Sequence, residues 1–538
     1  MTRASAAPRL HGAWPPPGRP RLWLAVVMVV AAALRVAALD KPLYIDEIVT
    51  ITVASQPLAS MASVMRQVDA SPALYPLLLH VWLLVSHADG WVRLLSAIFG
   101  VLAVAAFASV ASRAFGWRVG LAAAAVMAIA PVHVHYAQYV RSYSLFTLLG
   151  ALHVRLFIDW MYSTGGSGST APDLAASRPV AFPTRSRAIL LTMLTAALCY
   201  THYLSALLFV AEGVFALWRW RAARARVLSW AAAVALGGLL FAPGVPLFLH
   251  NVRFDGIRNL DRPVAPPAVK LVPNLIGELS LGQRVLGFDD PSLRRVTFAA
   301  AAVVFPGLWL FGSWRAWRAG RRDMVLLLTA VAWIPVAIYV GSGRRLVAVR
   351  FFLPFMVGYI ALLGYALAAL PRKLAIAAWT ALALLSAVPL WHFYASYSWS
   401  YDHRRVAAAI GRSLQPGDEL LFVHPYEAFY YRWYLGETVP MQGMVFTALE
   451  DQQVYVIKPP PVEFAHARAR IEEAAARHPR LWVVGQSTKS FASDAREEGR
   501  IFAWMDQTYR RLDDLSALTD GDPTIRLYAT PSLPVSSR

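Results

Sequence analysis

Long apolar blocks alternate with short polar, arginine-bearing stretches over the first 391 residues. An α-helix rises about 1.5 Å per residue, so about 20 apolar residues cross a hydrocarbon layer of about 30 Å. The pattern predicts eleven spans, near 22–39, 92–112, 119–135, 143–161, 188–202, 203–218, 228–249, 296–314, 324–341, 351–370 and 374–391. The apolar stretch ALYPLLLHVWLLVSHA (73–88) is short for a span and carries Pro76, His80 and His87. It reads as a juxtamembrane or re-entrant segment of the first outer loop. From about residue 399 the periodicity changes to alternating strands and helices. LLFVH centres one buried strand on 421–424, and PYEAFYYRWYLG is a helix closed by Gly436. VYVIK (454–458), LWVVG (481–485) and IRLYAT (525–530) are further strands, with a helix over 463–478. The expected fold is an all-α polytopic membrane bundle of about 11 spans, followed by a C-terminal extracytoplasmic α/β domain.

Composition and charge set the direction of the bundle. Of the 538 residues 57% are hydrophobic and 15% charged, against about 25% charged in soluble domains. The formal charge of +19 would suit nucleic acid, but its arginines lie between the apolar blocks. One set of loops holds Arg113 and Arg118, Arg185 and Arg187, Arg219 to Arg226, Arg315 to Arg322, and Arg372 with Lys373. Such loops stay in the cytoplasm. The basic, Pro-rich residues 1–21 are then a disordered cytoplasmic tail, and no small-residue cleavage site follows the first apolar run. Residues 22–391 form the membrane module with outer loops 40–91 and 250–295, and 392–538 a soluble extracytoplasmic domain. The expected location is the cytoplasmic (inner) membrane. The single cysteine, Cys199, rules out an intramolecular disulfide framework and a cysteine-based zinc site.

With this topology the chemically capable residues fall on one side. Asp46 and Glu47 are adjacent acids just beyond the first span, and Arg35 lies near the outer end of that span. A charge inside the bilayer costs roughly 2.5–3.5 kcal/mol on insertion scales unless it finds a partner. Arg93 opens the next span. Arg141 lies in HVHYAQYVRSYSL with His133, His135, Gln138 and Tyr143, and His202 and Tyr203 lie at another outer turn. Arg344, Arg345 and Arg350 occupy a further loop. Convergent arginines suit a phosphate-bearing ligand through charge-assisted, bidentate hydrogen bonds. A carboxylate beside them suits a general base acting on an acceptor hydroxyl. His133 and His135 read as interfacial or bundle hydrogen-bonding groups more readily than as metal ligands. Asp46, Glu47, Asp69 and His80 have the chemistry of a divalent-metal site, but arginines alone stabilise a leaving phosphate, so no cofactor is required. Asp289-Asp290 reads as a turn before Pro291. The C-terminal domain has no Gly-rich phosphate loop and reads as a structural or acceptor-positioning appendage.

At these residues the chain resembles the C-type membrane glycosyltransferases that use lipid-phosphate sugars, including protein O-mannosyltransferases and lipid A aminoarabinose transferases. The resemblance runs from the acidic pair through SPALYPLLLHVWL, VRLLSAIFG and PVHVHYAQYVRSYSLFTLLGAL to THYLSALLF and VRFFLPFMVGYIALLGY, over roughly 22–370. It implies that Asp46 is the catalytic acid of the pair with Glu47 its partner, that Arg93 serves the donor phosphate, and that Arg35 is an arginine of the first span, which its position adds to the phosphate set. Position extends the phosphate set to Arg141 and Arg350, and a substrate-contact set to His135, Gln138, Tyr143, His202, Tyr203 and Arg345. Two features depart from the family pattern. Ser71-Pro72-Ala73 stands where relatives often carry His-Pro-Pro or Lys-Pro-Pro, and Phe351 where they often have tyrosine. Arg350 or Arg345 could supply the missing charge.

The function these features imply is transfer of a sugar from a polyprenyl-phosphate donor to an extracytoplasmic glycan, lipid or protein of the cell envelope, with inversion. A flippase or transporter of lipid-linked glycans would share the basic cavity, but it needs polar groups along a whole path and often internal repeats. Here the polar groups cluster on one side. A purely structural membrane scaffold would leave Arg35 and the acidic pair unexplained.

Overall fold

A computed structural model of the chain describes residues 19–68, 71–162, 184–260, 268–282, 291–342, 348–395, 402–424, 427–436, 438–444, 463–485 and 495–531. Most of the expected N-terminal tail, Asp69, Asp289-Asp290, Arg344, Arg345 and the strand expected at 454–458 lie outside them. In chain order the first helices are α1 (Pro20–Val36), α2 (Ile45–Ala54), α3 (Leu58–Val68), α4 (Leu74–Leu83), α5 (Asp89–Phe115), α6 (Trp117–Ile129), α7 (Pro131–Ala137) and α8 (Tyr143–Met161). Next come α9 (Thr184–Cys199), α10 (Ser205–Trp218), α11 (Trp220–Leu240), α12 (Val245–Leu260) and α13 (Ala268–Leu281). The last helices before the sheet are α14 (Pro291–Arg318), α15 (Arg322–Gly341), α16 (Met356–Ala369) and α17 (Arg372–Ala395). Strands β1 (Asp418–Phe422), β2 (Met441–Gly443), β3 (Arg480–Val484), β4 (Arg510–Asp514) and β5 (Ile525–Ala529) come after them, interleaved with α18 (His403–Ser413), α19 (Glu427–Leu435), α20 (Phe464–Arg477) and α21 (Ala495–Thr508).

The chain divides into two compact units. One comprises Met1–Leu39, Ser71–Trp82 and Gly90–Tyr397, and the other Asp40–Ala70, Leu83–Asp89 and Ser398–Arg538. Two pieces of the segment between α1 and α5 therefore pack with the C-terminal residues, whereas the sequence pattern grouped that segment with the spans.

The helical unit is that of a multi-pass membrane protein. Among the described residues seven helices are long and apolar enough to cross a bilayer, or eight if the bent pair α6–α7 is one span. Helices also stand at the other expected spans, but α1 has 17 residues, α9 16 and α10 14, so this test does not reach eleven. Helix α4 has 10 residues and covers about 15 Å, half of the hydrocarbon thickness. Helix α16 is apolar on all sides, and 94% of an 18-residue stretch within Val349–Ala369 is buried. Its glycines allow close approach: a Cβ at Gly358 would strike the Leu328 carbonyl, and one at Gly364 would lie 2.8 Å from the Ala123 nitrogen. At the arginine-rich helix ends, Arg113 and Arg155 both pair with Asp159, Arg113 at 2.6 Å. Arg219 pairs with Asp323 at 2.6 Å, and Tyr162 donates to the same carboxylate.

In the C-terminal unit five strands form one sheet in the order β2-β1-β3-β5-β4. Strand β1 runs parallel to β2 and β3, and β5 antiparallel to β3 and β4. Strand alternation supplies two apolar faces. Leu421, Val423, Leu481 and Val483 pack against Ala467 and Ile471 of α20 and Ile501 and Met505 of α21. On the other face Phe422 meets Tyr431 of α19. Gly436 has φ +87°, the left-handed position that ends α19 at little cost for glycine. Asp402 caps α18 by accepting from the Arg404 and Arg405 backbone N–H groups.

This unit buries two histidines. Desolvation holds the His403 imidazole well below its ordinary range and pushes His424 down to about 3. Unfolding returns both to about 6.5, so below that pH the unfolded chain binds protons that the folded unit refuses. Stability is full above pH about 6.5 and falls as pH drops, by up to about 1.4 kcal/mol per histidine per pH unit. Amide protection in α20, corrected for intrinsic exchange, should therefore weaken about tenfold or more between pH about 7 and about 5.5. His424→Gln should flatten that slope. A flat profile in the unmodified protein would contradict the account.

Candidate functional site

The site begins with a broken helix. Pro131 has no N–H, so the Met127 carbonyl loses its helical donor at position i+4. Helix α6 stops at Ile129, and α7 departs at 65°. Arg35 of α1 fills the gap: Nη2 donates to the Met127 carbonyl at 2.9 Å and Nη1 to the Ala128 carbonyl at 3.0 Å. Nη1 also reaches the Ala31 carbonyl at 3.1 Å, and Nη2 lies 2.8 Å from His133 Nδ1. A guanidinium only donates, so His133 Nδ1 is the acceptor there. Arg35 is completely buried. Its position suggested a donor-phosphate ligand, but its terminal nitrogens are spent on helix packing.

Gln138 likewise serves the backbone. Its Nε2 faces the carbonyls of Leu34, Arg35 and Ala37 at 3.2, 3.2 and 2.7 Å, which are groups the C-terminus of α1 leaves open. Arg93 is buried and donates from Nη1 to the Leu39 carbonyl at 2.9 Å. His135 is buried among the rings of Tyr136, Tyr139 and Phe393. Tyr203 packs against Phe241 and Phe248.

A different group gathers beyond the break. Arg141 sits in the turn between α7 and α8, and Arg350 in a 3₁₀ segment, Val349–Phe355. Both lie within electrostatic reach of His202, between α9 and α10. Arg350 hydrogen-bonds Tyr136 and sits 5.3 Å from the Phe351 ring centroid. Phe146 stacks on His202 at 4.7 Å, and Tyr143 and Phe351 approach it at 6.3 and 6.0 Å. His202 Nδ1 accepts from the Leu204 N–H at 3.2 Å, which leaves Nε2 as the protonated nitrogen of the neutral ring. Two guanidinium groups thus lie within electrostatic reach of one imidazole, each of the three on a separate segment, a charge pattern suited to an oxyanion. Buried Glu278 of α13 also acts on Tyr136. It was missed in the sequence, where it is a single acid inside the apolar run NLIGELSL.

The acidic pair belongs to the C-terminal unit, and its two members differ. Tyr44 is the N-cap of α2, and Glu47, three residues on, accepts the Tyr44 backbone N–H at 2.8 Å. That is the returning half of a capping box. Glu47 is 1% exposed and Asp46 is half-buried. Glu47 holds the helix start, and Asp46 is the better placed of the two for chemistry. Among the described residues no three His, Cys, Asp or Glu side chains form a metal-ligand group.

The chain has the fold of the C-type membrane glycosyltransferases, enzymes that take sugars from lipid-phosphate carriers. It is similar to ArnT from Cupriavidus metallidurans bound to undecaprenyl phosphate, at a TM-score of 0.57 and 15% identity over 94% of this chain and 97% of that one. The Archaeoglobus fulgidus oligosaccharyltransferase in its apo form matches at 0.56 and 11% identity, over 93% and 73% of the two chains. The arabinofuranosyltransferase AftD from Mycobacteria matches at 0.52 and 16% identity, over 95% of this chain and 41% of that one. No protein-family model matches the sequence, and no curated protein does.

The Arg35 geometry has a direct consequence. Arg35→Met should leave two buried carbonyls at the α6–α7 break without their side-chain donor, at about 1–3 kcal/mol each. Thermal unfolding in detergent should show a clear drop in midpoint, with polyprenyl-phosphate affinity retained by the folded fraction. A variant of unchanged stability that has lost lipid-phosphate binding would return Arg35 to the phosphate.

Proposed function

We propose that the protein transfers a sugar from a polyprenyl-phosphate donor to an acceptor of the cell envelope, on the outer side of the cytoplasmic membrane. In this reading the helical unit has the eleven spans of the sequence pattern, the N-terminus is cytoplasmic and the C-terminal unit extracytoplasmic. Asp46 takes the proton of the acceptor hydroxyl or amine. The acceptor atom attacks the anomeric carbon in line, the bond from that carbon to the phosphate oxygen breaks, and configuration inverts. The electron pair leaves on the lipid phosphate, whose charge Arg141 and Arg350 neutralise. Arg93 and Gln138 bond carbonyls at and just beyond the end of α1. The reading requires no metal. The observation that carries it is that Arg141 and Arg350 both lie within electrostatic reach of His202, in a fold shared with ArnT solved with undecaprenyl phosphate.

A reconstituted assay with a synthetic polyprenyl-phosphate sugar tests the reading. Asp46→Asn should lower kcat by about 10²–10⁴-fold, the usual loss for a general base, with donor KM little changed. Glu47→Ala, which removes the acceptor of the Tyr44 N–H, should act mainly on stability, by about 1 kcal/mol. Release of free polyprenyl phosphate with glycosylated acceptor is the expected product pattern. Passage of intact lipid-linked sugar across the bilayer, with its sugar–phosphate bond whole, would establish a flippase instead.

A further inference from the structure

The loop bearing Asp46 leaves the first span at Asp40 and rejoins the bundle at Asp89, the first residue of α5. Both acids face one arginine of the C-terminal unit. Arg404 Nη1 lies 2.6 Å from Asp40 Oδ1 and 3.6 Å from Asp89 Oδ2. Tyr434 OH donates to the same Asp89 oxygen at 2.9 Å. The Asp40 contact is exposed, with Asp40 at 72%, and such pairs contribute little in water. The Asp89 side chain is 3% exposed, so its partners count for much more. Beside it, His87 packs on Trp433 at 5.2 Å.

The middle of the loop is held by the same helix, α19. Tyr430 lies within reach of Tyr44, Glu47 and Glu427. His403 of α18 stacks on the Tyr430 ring at 3.5 Å, nearly parallel, and its Nδ1 lies 3.4 Å from Glu427 Oε2. Helices α18 and α19 therefore meet the loop at its beginning, at the helix carrying the acidic pair, and at its end. These contacts are ion pairs, hydrogen bonds and ring stacking within the protein. Their chemistry is that of support.

We propose that the C-terminal unit is a clamp that positions Asp46, with Arg404 and Tyr434 as positioning residues that close the loop at Asp89. The proposal rests on the reading of Asp46 as the base. It gives the C-terminal unit a part in the reaction without any catalytic group from α18 or α19.

The test uses full-length protein in lipid nanodiscs, with hydrogen exchange and transfer kinetics measured on the same samples. In the Arg404→Met/Tyr434→Phe double variant, amides of α2 should exchange about tenfold faster or more, as expected on losing one hydrogen bond and one ion pair to a buried carboxylate. Amides of α20 should be unchanged. The kcat should fall by about tenfold with donor KM nearly constant, and Arg404→Lys should recover most of it, since the charge remains. Unchanged α2 exchange would overturn the clamp. Loosened α2 with undiminished transfer would keep the clamp and remove Asp46 from the chemistry. Should α20 also lose protection, Tyr434→Phe alone, which removes only a hydroxyl, gives the same reading without unfolding the unit.

Discussion

A proline inside an apolar run takes from one carbonyl its helical donor at position i+4, and in hydrocarbon there is no water to replace it. At Pro131 the chain meets this constraint with Arg35, whose guanidinium serves the Met127 and Ala128 carbonyls from another helix. The break redirects α7 by 65°, and the polar residues of the next ten positions take their places from that turn. His133 is fixed by the same guanidinium, Gln138 reaches back to the end of α1, and Arg141 is delivered to the turn before α8. A straight helix would carry these residues along a single cylinder. The kink spreads them, so that the polar ones face backbone groups and the arginine reaches His202.

The groups of the proposed chemistry are held in two different ways. The helical unit contributes positive charge through groups made rigid by packing: His202 stacked on Phe146, and Arg350 held by Tyr136. Preorganised donors of this kind stabilise developing charge without rearranging at the moment of reaction. The C-terminal unit contributes the carboxylate on α2, a helix whose start is capped by Glu47 and whose side is covered by α19. The adjacent acids are thus unequal, one buried and closing a helix and the other half-buried.

Much of this was legible in the sequence, because hydrophobic blocks are local signals. Helix α8 falls on the expected residues 143–161, and the strands at 421 and 481 follow from alternation. The break at Pro131 was signalled by the proline, but the apolar pattern continues through it and reads as one span over 119–135. Strand β4, RRLDD, is polar and mostly exposed at the sheet edge, so it carries no hydrophobic signature, and β2 has only three residues. The role of Arg35 depends on carbonyls 92 and 93 positions away, and the Arg404–Asp40 contact spans 364 positions. Such pairings have no local trace. Arg141, Arg350 and His202 could be singled out by position and do share one electrostatic neighbourhood, whereas the capping role of Glu47 required knowing that α2 starts at Ile45.

The central claim is that Arg141 and Arg350 grip one phosphate. A double-mutant cycle with Arg141→Gln, Arg350→Gln and the pair, read as affinity for polyprenyl monophosphate in nanodiscs, tests it most directly. If both guanidinium groups hold the same oxyanion, each single change should weaken binding and the double change should depart from additivity by roughly 0.5–3 kcal/mol. Losses that add within about 0.3–0.5 kcal/mol, or affinities that do not change, would show that the two arginines do not share a phosphate and would contradict the account.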